Sequence, residues 1–194
     1  MNESIKFPLI SGHPSLDLVN TELIRRGQRH DLLSTEGDLL DWLSCMHESS
    51  PAWNEELISK TKMDIGQVLL SLRDLRTVLR DQFEAIADGH LIKELFITLL
   101  EQYIEEAPYT YKLRDQQLIS VPLGKIENAL KSLIALDVLT LISANKLHTM
   151  KRCSNPDCVL LFMDESGRRK WCSMKICGNR KKVARYEQRK TEED

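Results

Sequence analysis

Four of the chain's five cysteines stand close to its C-terminus in two pairs, Cys153 with Cys158 and Cys172 with Cys177. Four residues lie inside each pair and thirteen between the pairs. Two close pairs joined by such a loop suit a tetrahedral four-thiolate site, in which each pair reaches one ion from a tight turn and the loop brings the pairs together. The ion that fits four thiolates in a reducing compartment is a single structural Zn2+, with Cys153, Cys158, Cys172 and Cys177 as its ligands. The rival readings are four unrelated cysteines or a disulfide pair, and the spacing and compartment argue against both. Neither pair has the two-residue gap that depresses thiol pKa in oxidoreductases. Cys45 stands apart, as a small apolar residue of a core.

The same segment concentrates positive charge. Residues 1–150 hold 15 basic and 22 acidic side chains, a balance of −7, whereas residues 151–194 hold 12 and 7, a balance of +5. Leaving out Glu192, Glu193 and Asp194 raises the latter to +8. Such a split points to a polyanionic partner for the small segment alone, and duplex DNA is the leading one. On a helix starting near Ile176, Lys182, Arg185 and Arg189 would share one side, with Ile176, Val183 and Tyr186 turned elsewhere. Arg168, Arg169 and Lys170 would extend this stripe, and Asn179, Arg180 or Lys181 would reach base edges from a major groove. Two rivals remain open: a zinc-stabilised protein-interaction module whose basic face docks on an acidic partner, and an RNA-binding protein, which Trp171 and Tyr186 support weakly.

The elements that must position these residues are legible in outline. Val159 to Met163 is strand-like, Asp164 to Gly167 are turn residues, and Arg168 to Trp171 can run back as the second arm of a hairpin. Ser173 can cap the helix that follows, placing Cys177 near its first turn. So short a segment buries little apolar surface, and the ion would supply much of its folding free energy. Upstream, the chain reads as mainly α, with helices expected from Pro14 to about Arg26, from Thr35 to about His47, from Ile65 to Gly89, from Leu91 to about Glu106, and from Pro122 to about Leu147. Asp64 is the expected cap of the third, and Leu95, Leu99, Leu100 and Tyr103 the apolar side of the fourth. One short β-hairpin is expected between Tyr109 and Val121. The division is a helical domain over residues 1–149 and a small four-cysteine zinc finger, hairpin then basic helix, over residues 150–194, packed on the bundle.

The helical domain offers one polar cluster, His13, Asp17, Asn20, Thr21, His30 and Asp31. Asp17, Asn20 and Thr21 share a helical face and are the candidate pocket for a small-molecule effector, although polar residues at a loop junction more often satisfy backbone groups. His13, His47, His90 and His148 stand singly near helix ends and read as capping or surface residues. No Ser-His-Asp order, phosphate-binding glycine loop or paired-carboxylate motif emerges, so no catalytic residue is assigned and no enzyme is expected. Residues 129–142, the most apolar run, are too few to span a bilayer and include Asp137, and no signal-peptide pattern is present, so a cytoplasmic protein without a membrane partner is expected.

The stretches "CSNPDC", "FMDESGRRKWCSM" and "CGNR" followed by "KKVARY" resemble the CGNR zinc finger found at the C-terminus of many bacterial proteins. In those proteins an all-helical domain called ABATE, described as a stress-induced transcription regulator, precedes the finger, and "SLDLVNTEL" and "DLLSTEGDLLDWL" resemble its start. The resemblance covers nearly the whole chain. It implies zinc on the same four cysteines, a motif completed by Gly178, Asn179 and Arg180, and a role in transcription regulation, with effector sensing or homodimer formation assigned to the helical domain. The turn "DESGRRKW" is shorter than in many members.

Overall fold

The computed structural model describes residues 6–25, 27–114 and 116–178. Its elements run α1 (Pro14–Val19), β1 (Glu22–Arg25), β2 (Gln28–Asp31), α2 (Glu36–Ser49), α3 (Glu55–Thr61), α4 (Ile65–Ala87), α5 (Glu94–Glu106), β3 (Tyr109–Arg114), β4 (Gln117–Pro122), α6 (Ile126–Ser143), β5 (Met150–Arg152) and β6 (Leu161–Met163). The strands form three separate antiparallel hairpins, β1 with β2, β3 with β4 and β5 with β6. The fold is mainly α, as the periodicity indicates.

Local signals set several boundaries. Thr35 accepts from the Asp38 N–H at 3.1 Å while the Asp38 carboxylate accepts from the Thr35 N–H at 2.8 Å, a reciprocal cap that starts α2. α4 begins after Asp64, as expected, although that side chain makes no capping bond. One stripe of α4, with Val68, Leu72, Leu75, Leu79 and Phe83, is buried in the main core against α1, α2 and α6, and α6 contributes Leu130, Ile134, Val138 and Leu141. Trp42 and Trp53 meet edge to face, ring centroids 5.5 Å apart, and close the end of this core.

Three expectations need correction. The helix opening at Pro14 stops at Val19 rather than near Arg26, and the chain turns through Gly27, at φ +75°, into a β-hairpin. Leu23 and Ile24 continue the helical spacing by coincidence; the hairpin is held by Leu32 N–H donating to Thr21 O at 2.8 Å and by Glu22 and Asp31 pairing with arginines of α4. On α5 the buried residues are Phe96 and Leu100, while Leu95 is exposed. The strand Leu161–Met163 pairs upstream with Met150–Arg152, not with residues 168–171.

That last pairing joins two cores. Side chains alternate across β6: Leu161 enters the main core with Met150, while Leu160 and Phe162 pack with Cys153, Cys172 and Cys177 in a second cluster. The cysteine-bearing segment is therefore built into the helical part, sharing a strand with it. Among the described residues, no helix is long and apolar enough to cross a membrane.

Candidate metal centre

The hairpin β5–β6 and the turn after Trp171 bring the four cysteines together. Cys153 follows β5 directly, and its N–H donates to Leu160 O at 3.2 Å, extending the ladder across the first pair. Cys158 N–H donates to Asn155 O at 3.0 Å, closing the turn that "NPD" begins. The second pair is brought back by Ser154 N–H donating to Lys170 O at 2.8 Å. Ser173 then does what its position suggests: its Oγ accepts from Ile176 N–H at 3.0 Å, and its carbonyl accepts from Cys177 and Gly178 in one wide turn, Met174–Gly178. A Cβ on Gly178 would come 2.5 Å from Met174 Sδ, so a larger residue there forces Met174 aside.

The ligand atoms of Cys153, Cys158, Cys172 and Cys177 all lie within 4.8 Å of one another. Cys158 Sγ and Cys172 Sγ are 3.9 Å apart, far beyond the roughly 2.05 Å of a disulfide and close to the roughly 3.8 Å edge of a tetrahedron with Zn–S bonds of about 2.3 Å. The surroundings fit thiolates as well. Cys172 N–H points at Cys153 Sγ at 3.4 Å, and the amide of buried Asn155 donates to Cys177 Sγ at 3.5 Å. Donation from Cys158 and Cys172 pulls the Cys153 thiol down, and the same hydrogen bonds to Cys153, with burial, push Cys158 and Cys172 up. Four thiolates this crowded need a divalent cation to coexist. The cluster is a site for one structural zinc ion, and four sulfurs leave no open position for substrate.

The other charged residues singled out in the sequence have mixed roles. Arg169 is a brace of the module: its guanidinium stacks 4.6 Å from the Phe162 ring centroid and donates to Met163 O and Cys172 O. Arg168 and Lys170 are exposed, and no described residue pairs with their side chains. With Arg169, Trp171, Ser173 and Met174 they line an open groove of about 540 Å³ beside the zinc site. Asn179, Arg180, Lys181, Lys182, Arg185 and Arg189, and the helix expected to carry them, lie outside the described residues. Asp164, which the reading placed in the turn, accepts from Ser166 Oγ, Lys151 Nζ and Arg169 N–H; burial opposes its charge, but these donors hold its carboxyl well below the usual range.

Of the three effector-pocket candidates, two spend their polar atoms internally. Asn20 accepts from Leu161 N–H and donates to Leu161 O, both at 3.0 Å, so its side chain grips β6 from the edge. Thr21 Oγ donates to Leu18 O and accepts from Arg76. Asp17 lines a cleft. Its carboxyl is pushed up to about 6 by burial, against hydrogen bonds from Ser11 and Ile10. A carboxyl with a higher pKa folded than unfolded favours folding when protonated; that contribution is complete below the ordinary 3.8 and is lost as pH rises through about 6. Two pKa units amount to about 3 kcal/mol. Asp17→Asn is therefore expected to stabilise the chain by up to about 3 kcal/mol at pH 7, with no gain at pH 4. Urea unfolding at both pH values reads this, and an equal effect at both would contradict it.

Sequence reasoning missed Arg76 and Arg80, both buried on α4. Arg76 makes a two-pronged contact to Asp31 at 2.6 and 2.7 Å, and Arg80 Nε lies 2.8 Å from Glu22 Oε2. Arg80 also donates to Val19 O, and to Val159 O at 3.2 Å, next to the metal ligand Cys158. Glu84, further along α4, and Asp88, just past its end, pair with Arg152, one residue before Cys153. The only signal was two arginines four apart flanking an apolar stripe. Of the lone histidines, His47 contacts Trp53 O, His90 contacts Ala85 O and His13 contacts Asp137, all near helix ends.

Two family models match the chain: the CGNR zinc finger over residues 149–190, and ABATE, "Putative stress-induced transcription regulator", over residues 12–144. No curated protein matches it. The ABATE match spans more than half of the sequence, and the chain belongs to that family, with a CGNR zinc finger following.

Proposed function

We propose that this ABATE-family chain is a DNA-binding transcription regulator whose zinc module carries the contacts to duplex DNA and which acts by binding, without catalysing a reaction. The observation that carries the reading is the placement of exposed basic side chains. Arg168 and Lys170 are exposed around the groove at Trp171, beside the point where the chain leaves Cys177 for the basic run 180–190. The basic run 180–190 thus follows the turn that carries the ligand Cys177, in a module anchored to α4 by Arg80 and Arg152. Phosphate neutralisation by Arg168, Lys170, Lys182, Arg185 and Arg189 would supply affinity, and Asn179, Arg180 or Lys181 would read base edges. The rival in which the basic face docks on the acidic helical part gains no support from Arg168 and Lys170, which are exposed and form no ion pair with it among the described residues.

The test is binding of the zinc-loaded full chain to random-sequence duplex DNA at about 50 and about 200 mM salt. Affinity is expected to fall steeply with salt, and the triple change K182E/R185E/R189E to weaken binding and flatten the salt slope by about three phosphate contacts. Zinc-loaded protein that fails to bind duplex at low salt, or binding that survives the triple change, would overturn the assignment. Stronger competition by single-stranded RNA than by duplex DNA would move the site to RNA.

A further inference from the structure

A cleft of about 490 Å³ opens between α1, α2 and α6, shares no lining residue with the zinc site, and has a volume in the range of small-molecule pockets. Leu9, Met46, Trp53, Leu133 and Leu136 give it an apolar wall, and Leu9 and Leu136 stay partly exposed at its rim. Ser49, Ser50 and Thr140 also line it, but each hydroxyl is engaged with nearby backbone. Asp137 has both oxygens occupied, one by His13 and the other by the N–H and hydroxyl of Ser15.

Asp17 differs. It is 4% exposed, and its Oδ1 takes all three of its donors: Ile10 N–H, Ser11 N–H and Ser11 Oγ. Its Oδ2 has no hydrogen-bond partner among the described residues. No Lys or Arg is among the described residues lining the cleft; its carboxylates are Asp17 and Asp137, and His13 is paired with the latter. A carboxylate oxygen without a partner, in a cleft with no Lys or Arg among its described lining residues, selects a donor that is also a cation.

We propose that this cleft binds an organic cation, a protonated amine with an apolar body, its ammonium group donating to Asp17 Oδ2 and its body packing against Leu9 and Leu136. Asp17 lies one helical turn before Asn20, whose amide holds both backbone groups of Leu161 in β6. The ligand would therefore bear on the short helix that grips the zinc module. The site stands independently of DNA binding and is tested without it.

The probes are 2-phenylethylammonium, its neutral isostere 2-phenylethanol and the anion 3-phenylpropionate, titrated into the zinc-loaded full chain, with calorimetry and tryptophan fluorescence as readouts. The amine is expected to bind saturably, at least about tenfold tighter than the alcohol, and the anion not at all. Asp17→Asn should bring the amine to the alcohol's affinity and leave the alcohol unchanged. Leu136→Lys, a change at the rim that puts a like charge beside the site, should weaken the amine by a similar factor, independently of Asp17→Asn. Equal affinity for amine and alcohol, amine binding that survives both changes, or no binding by any probe would overturn the proposal.

Discussion

Stripping zinc from the full chain, or replacing Cys172 with Ser, is expected to lower the stability of the whole molecule rather than only release its C-terminal segment. Zinc binding in small thiolate modules is itself folding free energy, about 10–16 kcal/mol in isolated finger peptides near neutral pH. Here part of that ordering is shared, because Leu160 and Phe162 pack on the cysteines while Leu161, between them, belongs to the main core with Met150. Losing the ion frees β6 on one face and should cost the helical part several kcal/mol, about 3 or more, through Leu161, Met150 and the Asn20 contact. Metal analysis should give one zinc per chain in the parent and much less in Cys172→Ser. Urea unfolding should remain one transition, shifted to lower denaturant. Full zinc retention by the variant, or an unchanged midpoint after chelation, would refute the shared-core account.

The metal site was legible in the sequence because its information is local: four thiols, their spacing, the turn at Asn155-Pro156 and the cap at Ser173. The cap of α2 and the long stripe of α4 were legible for the same reason. What could not be read were contacts set by distant partners. The strand β1 looks helical from Leu23 and Ile24, and only the arginines of α4, more than fifty residues on, make it a hairpin arm. The partner of β6 was sought downstream because turn residues follow it, whereas the burial of Met150 with Leu161 selects the upstream strand. The short α3 was overlooked although Asn54 does cap it, accepting from Leu57 N–H at 3.1 Å; seven residues give too little periodicity to notice.

The second large effect is expected at Arg80. Seen along α4 it is a polar residue beside the apolar stripe, yet it is almost wholly buried and gathers groups from three places: Val19 O at the end of α1, Glu22 in β1 and Val159 O beside the metal ligand Cys158. Arg80→Met keeps the length of the side chain and much of its packing but removes every donor. The carbonyls of Val19, Glu22 and Val159 then lose a partner, and the mostly buried Glu22 carboxylate keeps, among the described residues, only Arg76 at 3.6 Å and Arg29 at 3.4 Å. Breaking a buried charged pair from one side costs about 3–5 kcal/mol, more than the pair contributed while intact, because the remaining charge stays desolvated. A loss of that size in urea unfolding is the expected result. Zinc should also exchange faster in the variant, since the carbonyl at Val159 would no longer be held beside Cys158. Arg152→Ala makes the useful comparison: its partners Asp88 and Glu84 are more exposed, so its removal should cost no more than about 1 kcal/mol. If Arg80→Met cost as little as Arg152→Ala and left zinc exchange unchanged, the zinc module would be held by its apolar strand alone, and the buried arginine would not be what couples it to the helices.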